Sequence, residues 1–401
     1  MFAHTMTDKK CLYISYTGLT EPLGKSQILG YLEQIDTDLD IHILSFEKSP
    51  ERTDLQKVES RIQDQNIEWH HIERCRGPTL LSTFMDIFVG FLLSLYIYAK
   101  NGFDLVHARS YIPMMISLPL AVFSTTNIIF DIRGFWIDER VDRNSIDPDG
   151  RLYTYLKRIE HLLFQQADVV IALTKASRDI ITQKYSVKPD NIYIIPTCVD
   201  TEKFEMSDNS PDGPFLLGYV GTVNEWHHFD EVLDCYHLLS EQVDESCFKI
   251  YNKGDRNKIQ REIEKYPKNM DNIEIKSVSH SEMPKKYSEL DAGIFFYKDT
   301  YSKKATCPTK MGEFLSTGTP CIGNSGVGDV EDILEQNQVG VAISEFSEKE
   351  KREAITELLE IIDDPYSNQR CRNVAINQLS LESGSNILQD IYTQHHTKSV
   401  S

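Results

Sequence analysis

What this chain lacks narrows it first. Its eight cysteines, Cys11, Cys75, Cys198, Cys235, Cys247, Cys307, Cys321 and Cys371, are scattered, with no CxxC pair and no Cys/His ligand spacing. In a chain of 401 residues this argues against a disulfide framework and for a reducing compartment. Most of the thiols then read as small buried side chains. The opening MFAHTMTDKK has no apolar signal core, so secretion is not expected. Long hydrophobic runs are also missing. Phe84–Ala99 is about 16 residues long with Asp86 inside it, below the roughly 20 that a bilayer helix needs. A buried helix fits it better, and a membrane-surface helix is the other reading.

Excess positive charge is absent as well. The formal net charge is -19, made up of -4 over residues 1–195 and -15 over 196–401. A broad nucleic-acid surface needs the opposite sign, so nucleic acid is not an expected partner. The near-neutral first half can still meet an anionic surface through local basic patches. The acidic pieces DTDLD (36–40) and DPD (147–149) read as a turn and a loop, and no metal site is expected. No GxGxxG follows the first strand-like run, which disfavours a hydride-transfer cofactor.

What is present is alternation. The length suits two domains of about 200 residues. Strand-like runs at Cys11–Tyr16, Ile41–Phe46, Ile67–Ile72, Leu105–Ala108, Asn127–Asp131, Val169–Leu173 and Ile192–Ile195 are interleaved with helical patterns at Ser26–Gln34, Phe84–Ala99 and Tyr153–Gln165. Residues 196–213, rich in Asp, Ser and Pro, read as a linker. A second series occupies 214–378. Its strands are expected at Phe215–Val220, Cys247–Tyr251, Ile273–Ser277, Ala292–Phe296 and Pro320–Gly323. Its helices are expected at Phe229–Leu239, Arg256–Lys265, Met283–Leu290, Lys310–Ser316, Asp329–Gln336 and Glu348–Ile362. The tail 379–401 is polar and helical to about Gln394, and a return to the first domain is open to it. The fold class is α/β, with two mostly parallel, doubly wound sheets. Such sheets bind ligands outside the carboxyl ends of their strands.

Several phrases, in this order and spacing, carry a resemblance: YISYTGLTEPLGKSQIL, DLVHARSYIP, FDIRGFWIDERVD, ADVVIALTKASRDII, IIPTCVDTEKF, LGYVGTVNEWHHFDEVL and CPTKMGEFLSTGTPCIG. The chain resembles the family 4 glycosyltransferases of the GT-B fold over nearly its whole length, and most of all a branch found near bacterial surface-polysaccharide genes. The resemblance implies two Rossmann-like domains facing a central cleft. It implies a nucleotide-sugar as donor substrate, no cofactor, no metal, and retention at the anomeric carbon. A saccharide or lipid-linked acceptor is expected. So is a cytoplasmic location, with peripheral contact at the inner face of the membrane through Phe84–Ala99 and nearby Arg74, Arg76 and Lys100.

In the second domain, TKMGEFLSTGTP starts a helix at Thr309, just after Pro308. A helix N-terminus presents free N–H groups and positive potential, which suits phosphate, and Lys310 adds a full charge. Glu313 matches the family glutamate that accepts from ribose hydroxyls; stabilising its own helix is the bland alternative. The family often has another glutamate eight residues earlier, where this chain has Ala305. In GYVGTVNEWHH, Gly221 permits close backbone approach. Relatives often carry Arg after this glycine and Lys five residues on; here those positions are Thr222 and His227. Lys310, His227 and backbone amides would then neutralise the leaving phosphate. Gly254 turns the chain near the base or ribose, and Gly326 in SGVG is either a phosphate nest or a plain turn.

In the first domain, the loop GLTEPLGKSQ, from Gly18 to Gln27, is placed by the resemblance beside phosphate and acceptor. Gly24 would give access, and Lys25 and Gln27 would donate hydrogen bonds; a bland turn explains the glycines equally well, and the match in register favours the first reading. His107 and Arg109 end one strand, Asp131 ends the next, and Arg133 follows. Arg109 there can bind a phosphate or carboxylate in bidentate fashion; relatives often have His at this position. Asp138, Glu139 and Arg140 read as an exposed loop. Either these charges form an ion-pair network, or Asp131 or Asp138 orients an acceptor hydroxyl. Three other functions stay open: a nucleotide-sugar epimerase of the same form, a catalytically degenerate nucleotide-binding protein, and, least favoured, a nicotinamide oxidoreductase.

Overall fold

Strand and helix alternate along the chain, and every pairing between its extended strands is parallel among the described residues. The computed structural model describes residues 9–35, 39–63, 65–77, 79–206, 213–254, 256–266 and 272–395. The chain forms two units, one of residues 1–195 with 384–401 and the other of residues 196–383.

The first unit holds seven strands: β1 (Lys9–Ser15), β2 (Leu39–Glu47), β3 (Ile67–Glu73), β4 (Leu105–Arg109), β5 (Asn127–Asp131), β6 (Val169–Ala172) and β7 (Ile192–Ile194), in the order β3-β2-β1-β4-β5-β6-β7. Helical crossovers cover a parallel sheet on both faces, so its inner strands need apolar residues at successive positions. NIIFD and VVIA are buried at every position. The strand order reverses between β1 and β4, which opens a crevice at their carboxyl ends.

The second unit repeats the plan with β8 (Phe215–Val220), β9 (Ser246–Tyr251), β10 (Ile273–Lys276), β11 (Ala292–Ile294), β12 (Cys321–Asn324) and β13 (Gly340–Ile343), ordered β10-β9-β8-β11-β12-β13. Its reversal falls between β8 and β11. One core packs Tyr219, Phe248 and Ile294 of the sheet, with Phe296 just beyond β11, against Val232 and Leu233 of one helix and Ile355 and Leu358 of another.

Several expectations change. The apolar helix is longer than Phe84–Ala99, running Thr79–Asn101, and it is not a buried helix. Its segment Leu81–Asn101 is long and apolar enough to cross a membrane, with only 22% of the apolar window buried. Leu81, Phe84, Met85, Phe88, Leu92 and Tyr96 are exposed at helical spacing. Its other side packs inward, with Gly90 against Phe46 and Ile116 and buried Asp86 accepting from Tyr16 Oη at 2.6 Å.

Within the expected linker, residues 196–206 pack on the second unit: Val199 N–H donates to the Leu379 carbonyl at 2.8 Å, and Cys198 and Val199 are buried. Residues 207–212 of that expectation, and 36–38 of DTDLD, lie outside the described residues. Helices at Arg52–Ile62, Tyr111–Phe123, Trp136–Asp142 and Lys175–Tyr185 were not anticipated. The tail helix runs Leu381–Gln394, and its residues from Gly384 onward belong to the first unit.

Candidate active site

In the second unit, polar groups collect at the strand reversal. Gly221 follows β8 with φ of +126°, a backbone region that L side chains rarely adopt. A Cβ there would lie 3.1 Å from Lys310 Nζ. Lys310 stands in the first turn of the helix Thr309–Ser316, which follows Pro308 and has no side-chain cap. Phe314 of that helix lies flat against Gly293 of β11, which brings the helix onto the sheet. The lysine is 9% exposed and its ammonium has no hydrogen-bond partner. Nζ is 5.1 Å from the Tyr219 ring centre and 5.2 Å from that of Tyr297. Burial pushes its pKa down to about 8, with Glu313 pulling weakly the other way. A buried cation with no hydrogen-bond partner is suited to pair with an anionic group.

The surrounding residues refine the expected roles. His227 Nδ1 lies 2.9 Å from Asn224 Oδ1, and its ring packs 4.7 Å from that of Tyr297. Burial first, then Lys310 and Lys303, hold its pKa down at about 3. This shift holds His227 toward its neutral form beside Lys310 and Lys303, which weakens the expected role in charge neutralisation. The second cation is Lys303, a residue the sequence reading missed. It is buried, with Nζ 4.4 Å from the Trp226 ring, and its carbonyl accepts from Gly328 N–H at 2.9 Å.

Thr222 is exposed, and its carbonyl accepts from Tyr219 Oη at 3.1 Å. Thr309 is exposed at the helix start. Glu313 accepts from Tyr287 Oη; burial raises its pKa, opposed by that bond, His280 and Lys310. Gly254 N–H donates to Asn252 Oδ1, and Asn252 Nδ2 donates to the Gly221 carbonyl at 2.6 Å, which ties the two turns together. Gly326 lies against a carboxylate: a Cβ there would be 2.6 Å from Asp299 Oδ1. That negative charge disfavours a second anion, so Gly326 fits the turn reading better than a phosphate nest.

The first unit gathers charge at the carboxyl ends of β4 and β5. Arg109 Nη1 donates to Asp131 Oδ2 at 3.0 Å, Arg133 Nη1 is 3.9 Å from Oδ1, and Arg133 Nη2 donates to Gln27 Oε1 at 3.2 Å. Burial pushes the Asp131 pKa up, but Arg133, His107 and Arg109 outweigh it and hold the carboxyl below its ordinary value. His107 Nε2 is 3.7 Å from Asp131 Oδ2, too far for a hydrogen bond, while Nδ1 is 2.8 Å from Tyr392 Oη. Burial lowers the His107 pKa in spite of Asp131. These side chains line a small cavity with Tyr13 and Tyr31. Ser110, at φ of 78°, and Arg133, at φ of 54°, both sit in the left-handed region beside it. Strained backbone of this kind collects at functional sites.

The loop between β1 and β2 is built differently from expectation. A Cβ on Gly24 would lie 2.1 Å from the Gly18 carbonyl oxygen, so Gly24 is a close packing contact rather than an opening. Gly18 N–H donates to Glu21 Oε1 at 3.0 Å. Lys25 is half-buried and Gln27 is buried under Arg133. Fully buried Glu47 anchors the loop by accepting from Leu19 N–H at 2.8 Å and Thr20 N–H at 3.1 Å. A charged residue ending the apolar run LDIHILSFE was the signal for it.

Asp138 is corrected outright. It lies in the helix Trp136–Asp142, is 5% exposed, and accepts from Lys157 Nζ at 3.0 Å. It is neither in an exposed loop nor available to an acceptor. The ion-pair reading holds for Asp138, and Asp131 is paired as well.

Sequence comparison matches residues 35–203 to Glycosyltransferase Family 4 and residues 200–378 to Glycosyl transferases group 1. Among curated proteins there is no significant match. Solved structures of similar fold include a glycosyltransferase from Rickettsia africae, with 14% identity, a TM-score of 0.70, and 98% of this chain and 100% of that one covered. Sucrose-phosphate synthase from Thermosynechococcus elongatus matches with 13% identity, a TM-score of 0.69, and 96% and 98% covered. Anabaena HepE in complex with UDP and glucose matches with 11% identity, a TM-score of 0.65, and 96% and 100% covered. With two parallel-sheet α/β units and both family matches end to end, the chain belongs to the family 4 glycosyltransferases and has the GT-B fold.

Proposed function

We propose that the chain transfers a sugar with retention from a nucleotide-sugar to a saccharide or lipid-linked acceptor, without a catalytic metal. The observation that carries the donor half is the Lys310 ammonium, buried and unpartnered beside Gly221 at an uncapped helix start. A diphosphate placed there meets Lys310, the first-turn amides and, through the Tyr301–Ala305 turn, Lys303. Glu313 and the Asn252–Gly254 turn are then set for the nucleoside. That HepE is described with UDP and glucose supports a UDP-sugar among the candidates.

The acceptor half rests on the cluster of His107, Arg109, Asp131 and Arg133. In the reaction the bond from the anomeric carbon to the phosphate oxygen breaks. The acceptor oxygen bonds to that carbon on the same face, and its proton passes to the leaving phosphate. The protein supplies position and positive charge rather than the carboxylate pair of a glycosidase.

The exposed apolar stripe Leu81, Phe84, Phe88, Leu92 and Tyr96 fits contact with the inner face of a cytoplasmic membrane, where a lipid-linked acceptor resides. The test is a thermal-shift screen against UDP, GDP, CMP and their sugars, followed by product analysis with and without acceptor. A melting shift with one nucleotide and acceptor-dependent transfer support the proposal. Epimerised donor without acceptor replaces it with an epimerase, and binding without turnover of any donor replaces it with a nucleotide-binding protein.

A further inference from the structure

A second group of polar residues lies apart from these sites. His42 on β2 stands in register with Glu68 on β3, and His70 follows two residues on. Side chains two apart on a strand share a face, so all three meet on one side of the sheet, at its edge strand. Their donor atoms converge. His42 Nδ1 is 3.3 Å from His70 Nε2 and 3.5 Å from Glu68 Oε2, and His70 Nε2 is 3.3 Å from Glu68 Oε1.

Four-coordinate zinc, with bonds of about 2.0–2.1 Å, sets its ligands roughly 3.3–3.5 Å apart. The observed separations match that spacing. Behind His42, Asp40 Oδ2 is 3.4 Å from Nε2, the ring nitrogen away from the triangle. A carboxylate on that side, which also pairs with Lys10 Nζ at 3.5 Å, favours the tautomer that leaves the near nitrogen as a lone pair, the usual support of a metal-bound histidine. The imidazole is 2% exposed and held edge-on against Phe103, with ring centres 5.0 Å apart, so its orientation is set by packing.

We propose that His42, His70 and Glu68 bind one divalent transition-metal ion of the zinc class, with a fourth position open to water and Asp40 as the supporting carboxylate. Two imidazoles and one carboxylate suit zinc, cobalt or nickel, whereas magnesium and calcium need mostly oxygen ligands. The ion ties the edge strand β3 to β2. It takes no part in transfer, because His42 lies in the amino-terminal half of β2 while His107, Arg109 and Asp131 lie toward the carboxyl ends of β4 and β5. The competing account is a bare hydrogen bond between the two imidazoles.

The full chain, stripped with a chelator, is titrated with Co²⁺. One equivalent should bind with the visible absorption of a tetrahedral site, be displaced by Zn²⁺, and raise the melting midpoint. His70→Gln and Glu68→Gln should each weaken binding by more than about tenfold, and Asp40→Asn by about tenfold. His71→Gln, at an exposed neighbour outside the triangle, should leave it unchanged. Circular dichroism confirms that each variant is folded. Absence of one-to-one binding at micromolar ion, or binding that survives in both His70→Gln and Glu68→Gln, overturns the site in favour of the hydrogen bond.

Discussion

The ammonium of Lys310 sits 5.2 Å from the centre of the Tyr297 ring, and Tyr297 is itself fixed by Asn324, whose Oδ1 accepts from its N–H at 2.8 Å. The aromatic faces of Tyr297 and Tyr219 give the cation partial compensation. They compensate it less than a paired carboxylate would, so burying this cation costs stability.

Lys310→Met should therefore stabilise the free protein. The lysine titrates near 8 when folded and near 10.5 when unfolded, so its penalty is full below pH 8, is relieved between pH 8 and 10.5, and is gone above. The gain at pH 7 is about 3 kcal/mol. The same variant should lose the nucleotide-dependent melting shift, and Lys310→Ala should lower turnover by about 10²-fold or more. Calorimetric melts at pH 7 and pH 10 check the first part. Wild-type kinetics in Lys310→Ala would remove the residue from the mechanism.

Nucleotide binding should take up a proton above pH 8. A phosphate beside Lys310 restores its charge, so affinity should fall about tenfold per pH unit between 8 and 10. Titration calorimetry at pH 8.5 in buffers of different ionisation enthalpy measures the uptake. Identical heats in all buffers would place the phosphate elsewhere.

Gly221→Ala should cost roughly 1–3 kcal/mol from the positive φ alone. Its methyl would also crowd Lys310 Nζ. Weaker nucleotide binding should accompany the lower melting point. Unchanged affinity in a folded Gly221→Ala protein would argue that ligand does not approach this backbone.

Asp131→Ala should destabilise the first unit by about 3–5 kcal/mol, because it leaves Arg109 buried beside Arg133 without their shared carboxylate. In the parent chain, the lowered Asp131 pKa gives stability that is present above the ordinary carboxylate range and lost as pH falls through the depressed value. Urea melts between pH 7 and pH 3 test both. A variant as stable as the parent at pH 7 would mean that the pair adds nothing.

Replacing Phe84, Phe88 and Leu92 together by Ser should abolish flotation with anionic liposomes while leaving the melting point nearly unchanged, since all three are exposed. If the parent chain does not float, the membrane reading fails directly.

Much of the fold was legible because burial on both faces leaves a simple mark. LVHAR, NIIFD, VVIA and FLLGYV are short apolar runs between breakers, and each forms a strand. The missed helices lack a clear apolar period. Tyr111–Phe123 is apolar nearly all round and holds Pro119 inside it, so nothing distinguished it from irregular chain. Trp136–Asp142 has only seven residues, four of them charged, and resembled a loop. Thr79–Asn101 misled in the other direction: an apolar helix suggests burial, and only the packing of Gly90 and Asp86 shows which side faces inward.

The order of residues by itself determined the alternating strands and helices, the two family matches and the placement of Lys310 in the first turn of a helix, because these depend on local pattern. Tertiary structure alone decided which charges are free. Asp138 found Lys157, His107 met Tyr392 from 285 positions along the chain, and Lys303 came to lie beside His227. A side chain's charge state and partners depend on what burial removes from water and what folding brings within a few ångströms, and neither is written in sequence spacing.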